Sequence, residues 1–167
     1  MSETAPSELA FRIVIAADIQ RVWRELTKTG EAQGAVFNAW LHARGGVVPG
    51  AAMQMRTGSG KHTLVVGEVL ECSPPHRFVQ YDDPLCQVSY DLKEVPGGVQ
   101  VTLRVAGVTA GSKTAKDMAS GGTMIVNALK AICETGKPGV ATRLMYTLFE
   151  HMEFVLPART KSEHWPL

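Results

Sequence analysis

Few residues of this chain stand where chemistry would need them. Gly58-Ser59-Gly60-Lys61 is the first stretch that invites a chemical reading, as a loop cradling a phosphate. Such a loop needs a glycine five residues before Gly60, where Met55 stands, and Ser or Thr after the lysine, where His62 stands. It also opens a helix, whereas this tetrapeptide lies between two predicted strands and reads as a hairpin tip. The five histidines, His42, His62, His76, His151 and His164, have no metal-ligand spacing with one another, with a cysteine or with a carboxylate. His42 and His62 fall on neighbouring predicted strands and are the pair that folding can bring together. Cys72, Cys86 and Cys133 are odd in number and form no CxxC pair, so neither a disulfide framework nor a zinc site is expected. They read as buried, inert thiols. No serine sits in a nucleophile elbow, and no carboxylate pair is marked out as acid and base. Glu68 and Glu71 flank a strand that turns at the prolines. No catalytic residue, metal or cofactor is predicted.

What remains is apolar and aromatic: Trp40, Met53, Met55, Tyr81 and Tyr90 from predicted strands, and Met118, Ile125 and Leu129 from a predicted helix. All are expected to face inward, as core or as the lining of a cavity. A chain of 167 residues supplies one domain to hold them. With 45% hydrophobic and 20% charged residues it folds rather than staying disordered. Seventeen basic and sixteen acidic residues nearly cancel, so no bulk attraction to nucleic acid or anionic membrane is expected. No apolar run approaches the ~20 residues of a membrane-spanning helix. The start, MSETAPSELAF, lacks a basic, apolar leader, which points to the reducing cytoplasm.

The elements alternate in period. LAFRIVIAA is a short, β-branched run and predicts a strand. Asp18 caps a helix whose apolar face is Ile19, Val22, Trp23 and Leu26. Residues 31–36 predict a second, very short helix. From about residue 37 to 108 the signals are strands and turns, among them FNAWLHAR, AAMQMRT, HTLVVGEVLEC, RFVQY, QVSYDLKEV and GVQVTLRVAGV. PGG joins the last two as a hairpin, and both alternate strictly, so one face of the sheet is buried and the other wet. The helical period returns over 116–135, ended by Gly136 and Pro138. It returns again over 139–155, where Val140, Leu144, Leu148, Met152 and Val155 form a stripe. The order is that of an α+β fold in which an antiparallel sheet is covered by the long helix.

Several stretches carry a family resemblance in their order. They are Ala16 with Val22-Trp23, Pro49-Gly50, Gly67-Glu68-Val69-Leu70-Glu71 followed by Pro74-Pro75 and Arg77-Phe78, and Val88-Ser89-Tyr90-Asp91-Leu92 with Gly97-Gly98. The chain resembles the helix-grip superfamily of START domains, the birch-pollen allergen and polyketide cyclases. Within it, the chain is most similar to bacterial homologues of the heat-shock-protein-90 ATPase activator. The resemblance spans about residues 9–136 and implies a helix-grip domain there, with 137–167 as a helical extension packed on the domain or at a dimer interface. It departs at Ala17, where the family usually has proline, and at Gly122-Thr123, where it often has Gly-Trp.

The resemblance implies a sheet gripping the long helix. A cavity between them would be lined by the eight residues above and kept open by Ala119-Ser120-Gly121-Gly122. It would bind a small apolar or aromatic molecule without catalysis. Two other functions stay open. One is a protein-interaction module of the chaperone-activator type, which predicts a filled core and an exposed apolar patch on the outer sheet or last helix. The other is a cyclase-like enzyme, which predicts an inward ionisable group such as His62 beside Tyr90. The last helix could close the pocket, cover the outer sheet or pair with a second copy, and its stripe suits a self-complementary homodimer contact.

Overall fold

Alternating strands with one apolar face cannot stay unpaired, and here they pair in a single curved layer. The computed structural model describes residues 6–82 and 86–167. The strands are β1 Pro6–Ile15, β2 Ala32–Gln33, β3 Ala39–Ala43, β4 Ala52–Arg56, β5 Thr63–Ser73, β6 Arg77–Asp82, β7 Cys86–Val95 and β8 Gly98–Thr109. They form one antiparallel sheet in the order β1-β8-β7-β6-β5-β4-β3-β2. The helices are α1 Ile19–Thr27, α2 Lys113–Thr135 and α3 Val140–His151, followed by three single 3₁₀ turns between Glu153 and His164. The fold is α+β and of the helix-grip kind.

The register sorts the sheet into two faces, because directly paired residues share a side. On the inner face, Phe11 opposes Leu103, Leu103 opposes Tyr90, Tyr90 opposes Phe78, and Met55 lies between Val65 and Leu41. Asp18 accepts a hydrogen bond from the Gln20 amide at 2.8 Å and starts α1, which buries Ile19, Val22, Trp23 and Leu26. Trp23 meets Phe78 edge-on at 6.5 Å, and Phe78 stacks on Tyr90 at 6.1 Å. The outer face carries a ladder of alternating charge across five strands. Glu71, Arg77, Asp91, Arg104 and Glu8 follow one another at 2.9, 2.6, 3.0 and 3.5 Å.

The long helix begins at Ser112, whose hydroxyl accepts from the Ala115 amide at 3.1 Å, and ends at Gly136 in the left-handed region. It rests on β1 and β8. Gly122 sets the approach: a Cβ there would overlap three carbons of the Phe11 ring. Near its C-terminus, Lys130 donates to the Val14 carbonyl at 2.8 Å and Glu134 accepts from the Ala16 amide at 3.4 Å.

The short helix expected over 31–36 is not formed. Gln33 instead reaches back to the Leu26 and Lys28 carbonyls at the end of α1, at 3.3 and 3.0 Å, and holds the segment extended as β2. A tight turn follows, closed by Ala39 N–H to the Val36 carbonyl at 2.9 Å. Its central residues, Phe37 and Asn38, both have positive φ, at 53° and 59°. A side-chain-bearing pair in that region is strained, more so for phenylalanine than for asparagine.

Neighbouring glycines of α2 are expected to respond with opposite sign. Gly122→Ala forces the Phe11 ring to move and should lower stability by about 1–2 kcal/mol, overpacking outweighing the gain in helix propensity. Gly121→Ala meets Phe37 at an ordinary 3.6 Å. It should raise stability by up to about 1 kcal/mol. Thermal or urea unfolding of the two variants checks both signs.

Candidate functional site

The predicted pocket residues divide into four groups. Met53, Met55, Tyr90 and Leu129 are buried together in one apolar core. Met118 and Ile125 lie on α2, half-buried and packed against that core. The backbone of Tyr81 pairs with Glu68 and Gln87, and its side chain lies outside the described residues. Trp40, expected inward, is on the opposite face. It pairs with Arg56, while its neighbour Leu41 pairs with Met55, so the inner positions of β3 belong to Leu41 and Ala43. The Trp40 ring is half-buried on the outer side, with its indole nitrogen 3.6 Å from where a Gly58 Cβ would stand.

The room expected beneath 119–122 is occupied by aromatic rings, Phe11 against Gly122 and Phe37 against Gly121. Two surface clefts are formed elsewhere, and none of the eight predicted residues lines either. One, of about 390 Å³, lies between Gly60–His62 and Lys161–Glu163. The other, of about 310 Å³, is lined by Gly34, Asn38, Pro138, Arg143, Tyr146, Thr147 and Glu150.

The polar cluster that sequence did not single out is centred on Glu153, just after α3. Its carboxylate accepts hydrogen bonds from Thr57 Oγ1, from Ser59 Oγ at 2.7 Å and from His62 Nδ1 at 2.7 Å. Burial alone would raise the Glu153 carboxyl. The bonds from Thr57, His62 and Ser59, with the charge of His62, leave it below its ordinary value. Both hydroxyls and the imidazole turn to the carboxylate, which ties the tail to the hairpin. The rest of the tail follows the same hairpin. Ser162 Oγ and Thr63 Oγ1 are 3.0 Å apart, and the Trp165 carbonyl accepts from Gln54 and Arg56 at 3.0 and 2.8 Å. His42 shares the outer face with its pair Gln54, and burial, then the nearby Arg56, lower its pKa. Tyr90 is stacked on Phe78 on the inner face, while His42 is on the outer face and His62 is turned to Glu153. The Cys133 thiol is pushed up to about 11 by burial and by Glu25, which suits an inert sulfur.

Helix α3 touches the domain along one side. Tyr146 is its buried residue, and its hydroxyl donates to the Gly34 carbonyl at 2.8 Å. Asn38 Nδ2 donates to Glu150 at 3.2 Å. The far side is bare: Leu144 is 67% exposed, Leu148 54%, and Phe154 just beyond is 82%. The sequence stripe is therefore real as a pattern, yet nothing within the described chain covers it.

Comparison with known proteins places this architecture. The family described as Activator of Hsp90 ATPase homolog 1-like protein matches residues 4–134. No curated protein sequence matches the chain. Among solved structures, the Aha1 dimer from Colwellia psychrerythraea is 16% identical with a TM-score of 0.64, over 78% of this chain and 98% of that one. DynU16, a protein of the dynemicin biosynthetic locus, is 21% identical with a TM-score of 0.66, over 78% of this chain and 48% of that one. CalU16 from Micromonospora echinospora is 17% identical with a TM-score of 0.63, over 86% and 83%. The family match stops before α3 begins.

A folded carboxyl held below its ordinary value contributes stability above the usual glutamate range and loses it as acid carries the pH down through the lowered value. Tail docking should therefore weaken on acidification in that window. Glu153→Gln should abolish the pH dependence and leave the tail weakly docked throughout. Trp165 fluorescence and limited proteolysis after Phe154 read both outcomes.

Proposed function

We propose, from the premise that the chain belongs to the family of Activator of Hsp90 ATPase homolog 1-like proteins, that it works as a protein-interaction module. The observation that carries this reading is the contrast between the two sides of the molecule. The inner face of the sheet is packed, with Met53, Leu129, Val69 and Val101 essentially inaccessible. The apolar face of α3 is open. A filled core with an exposed apolar patch on the last helix is what an interaction module requires, and such patches on soluble domains mark contact sites. The Colwellia protein is a dimer, which supports a role for this fold in protein contacts. None of the helices is long and apolar enough to cross a membrane, over the described residues.

A second reading, binding of a small apolar or aromatic ligand, rests on one observation. Phe37 is held on a strained turn with its ring against Gly121, beside the half-buried part of α2 that carries Met118 and Ile125. A ligand would displace that ring and rest on Met118 and Ile125, with Met53, Met55, Tyr90 and Leu129 behind them. Trp40 would take no part. Release of turn strain, about 1–3 kcal/mol, would favour the displaced state.

Native mass spectrometry of gently purified protein separates the two. The interaction reading expects the bare chain mass, alone or in multiples. A small molecule that co-purifies and is released on denaturation would overturn it in favour of the second reading.

A further inference from the structure

We infer that the partner of α3 is a second copy of this chain, bound antiparallel about the level of Tyr146. This rests on the interaction reading and names the surface and its occupant. At about 100° per residue, the side of α3 opposite Tyr146 carries Val140, Leu144, Leu148 and Met152 in successive turns. Phe154 and Val155 extend it past the helix end, and both are exposed. Aromatic side chains present about 150–250 Å² each, and aliphatic ones less. At the exposures found, from 42% for Met152 to 82% for Phe154, the patch amounts to several hundred square ångströms. That is close to the ~800 Å² each partner contributes to a standard interface.

Charge agrees with area. Arg143 and Glu150 are on the inner side of α3, where both line the cleft with Tyr146, and His151, in its last turn, is the ionisable residue on the outer side. Burying the outer side therefore strands no Lys, Arg or carboxylate, and asks only that His151 be neutral or at the rim. An anionic lipid surface would call for the opposite, a basic border to the stripe. A two-fold contact must be self-complementary. The even spacing of the stripe satisfies this: with α3 laid antiparallel on its copy, Leu144 meets Leu148 of the second copy and Val140 meets Met152. In this register Phe154 comes level with residue 138 of the second copy, past the start of its α3.

Size-exclusion chromatography with light scattering on the full chain tests this. The wild type should be a dimer, and the double variant Leu144→Glu with Leu148→Glu should be a monomer, its dissociation constant raised at least about 100-fold. Both residues are exposed, so the thermal midpoint of the monomer should stay close to wild type, which guards against misfolding as the cause. Register is read separately. Chains carrying Leu144→Cys mixed with chains carrying Leu148→Cys should form a mixed disulfide faster than either variant pairs with itself, with wild type controlling for the native cysteines. A monomeric wild type at about 100 µM overturns the inference. So does a dimer that survives the double glutamate change, preferential pairing of each cysteine with its own kind, or a monomer that binds vesicles through α3. A monomer with a bare chain mass would sink self-pairing and leave the interaction reading standing, whereas a released small molecule would count against that reading itself.

Discussion

The position of α2 is set by a side chain that Gly122 lacks. Its backbone lies against β1 so closely that the Phe11 ring fills the place of a Cβ. Everything on the inner face adjusts to that approach. The helix settles on β1 and β8, where Leu129 and Val126 are buried, and α1 lies over β7 and β8, with Trp23 against Phe78 of β6. Packing at interior density leaves little freedom to open such a contact at one point without shifting its neighbours. A helix carried a few ångströms further out would have left the hollow that the superfamily resemblance implies.

The outer face at the β4–β5 hairpin is held by other means. There the cover is polar and comes from the end of the chain. Glu153 gathers the hydroxyls and imidazole of the β4–β5 hairpin, and the Trp165 carbonyl receives Gln54 and Arg56. The buried glutamine on the outer face of β4 is explained by that partner, since a buried amide without one is costly. The charge ladder from Glu71 to Glu8 treats the rest of the outer face differently. Its members stay partly in water, where each pair is worth little alone and the alternation mainly keeps like charges apart.

Much of the fold was legible because its signals are local. Asp18 and Ser112 as caps, Gly136 as a stop, the glycine hairpin between β7 and β8, and the alternation of both strands all act within a few residues. The face of Trp40 was not legible. In Ala39-Trp40-Leu41-His42-Ala43 either parity puts something apolar inward, and size suggested tryptophan. The register with Met55 decides for Leu41, and that register is a long-range fact. The Gln33 bonds that replace the expected short helix are likewise invisible in a propensity pattern. The Glu153 anchor had only a faint trace, the concentration of Thr57, Ser59 and His62 around one hairpin tip. Whether the core is filled was beyond sequence, because a glycine in a helix marks close approach without saying what approaches.

The side chains of Lys130 and Glu134 at the border of β1 have a wider consequence. They engage the Val14 carbonyl and the Ala16 amide at one margin of the sheet, while β2, at the other, is two residues long. One end of the β1 margin is thereby capped, and the other margin is short. Growth by strand addition repeats without end, each new subunit exposing a fresh margin, and its product is a fibre. A helical face is consumed once it is matched. The molecule therefore presents its most apolar surface in a form that saturates, so that an exposed patch is compatible with a bounded assembly.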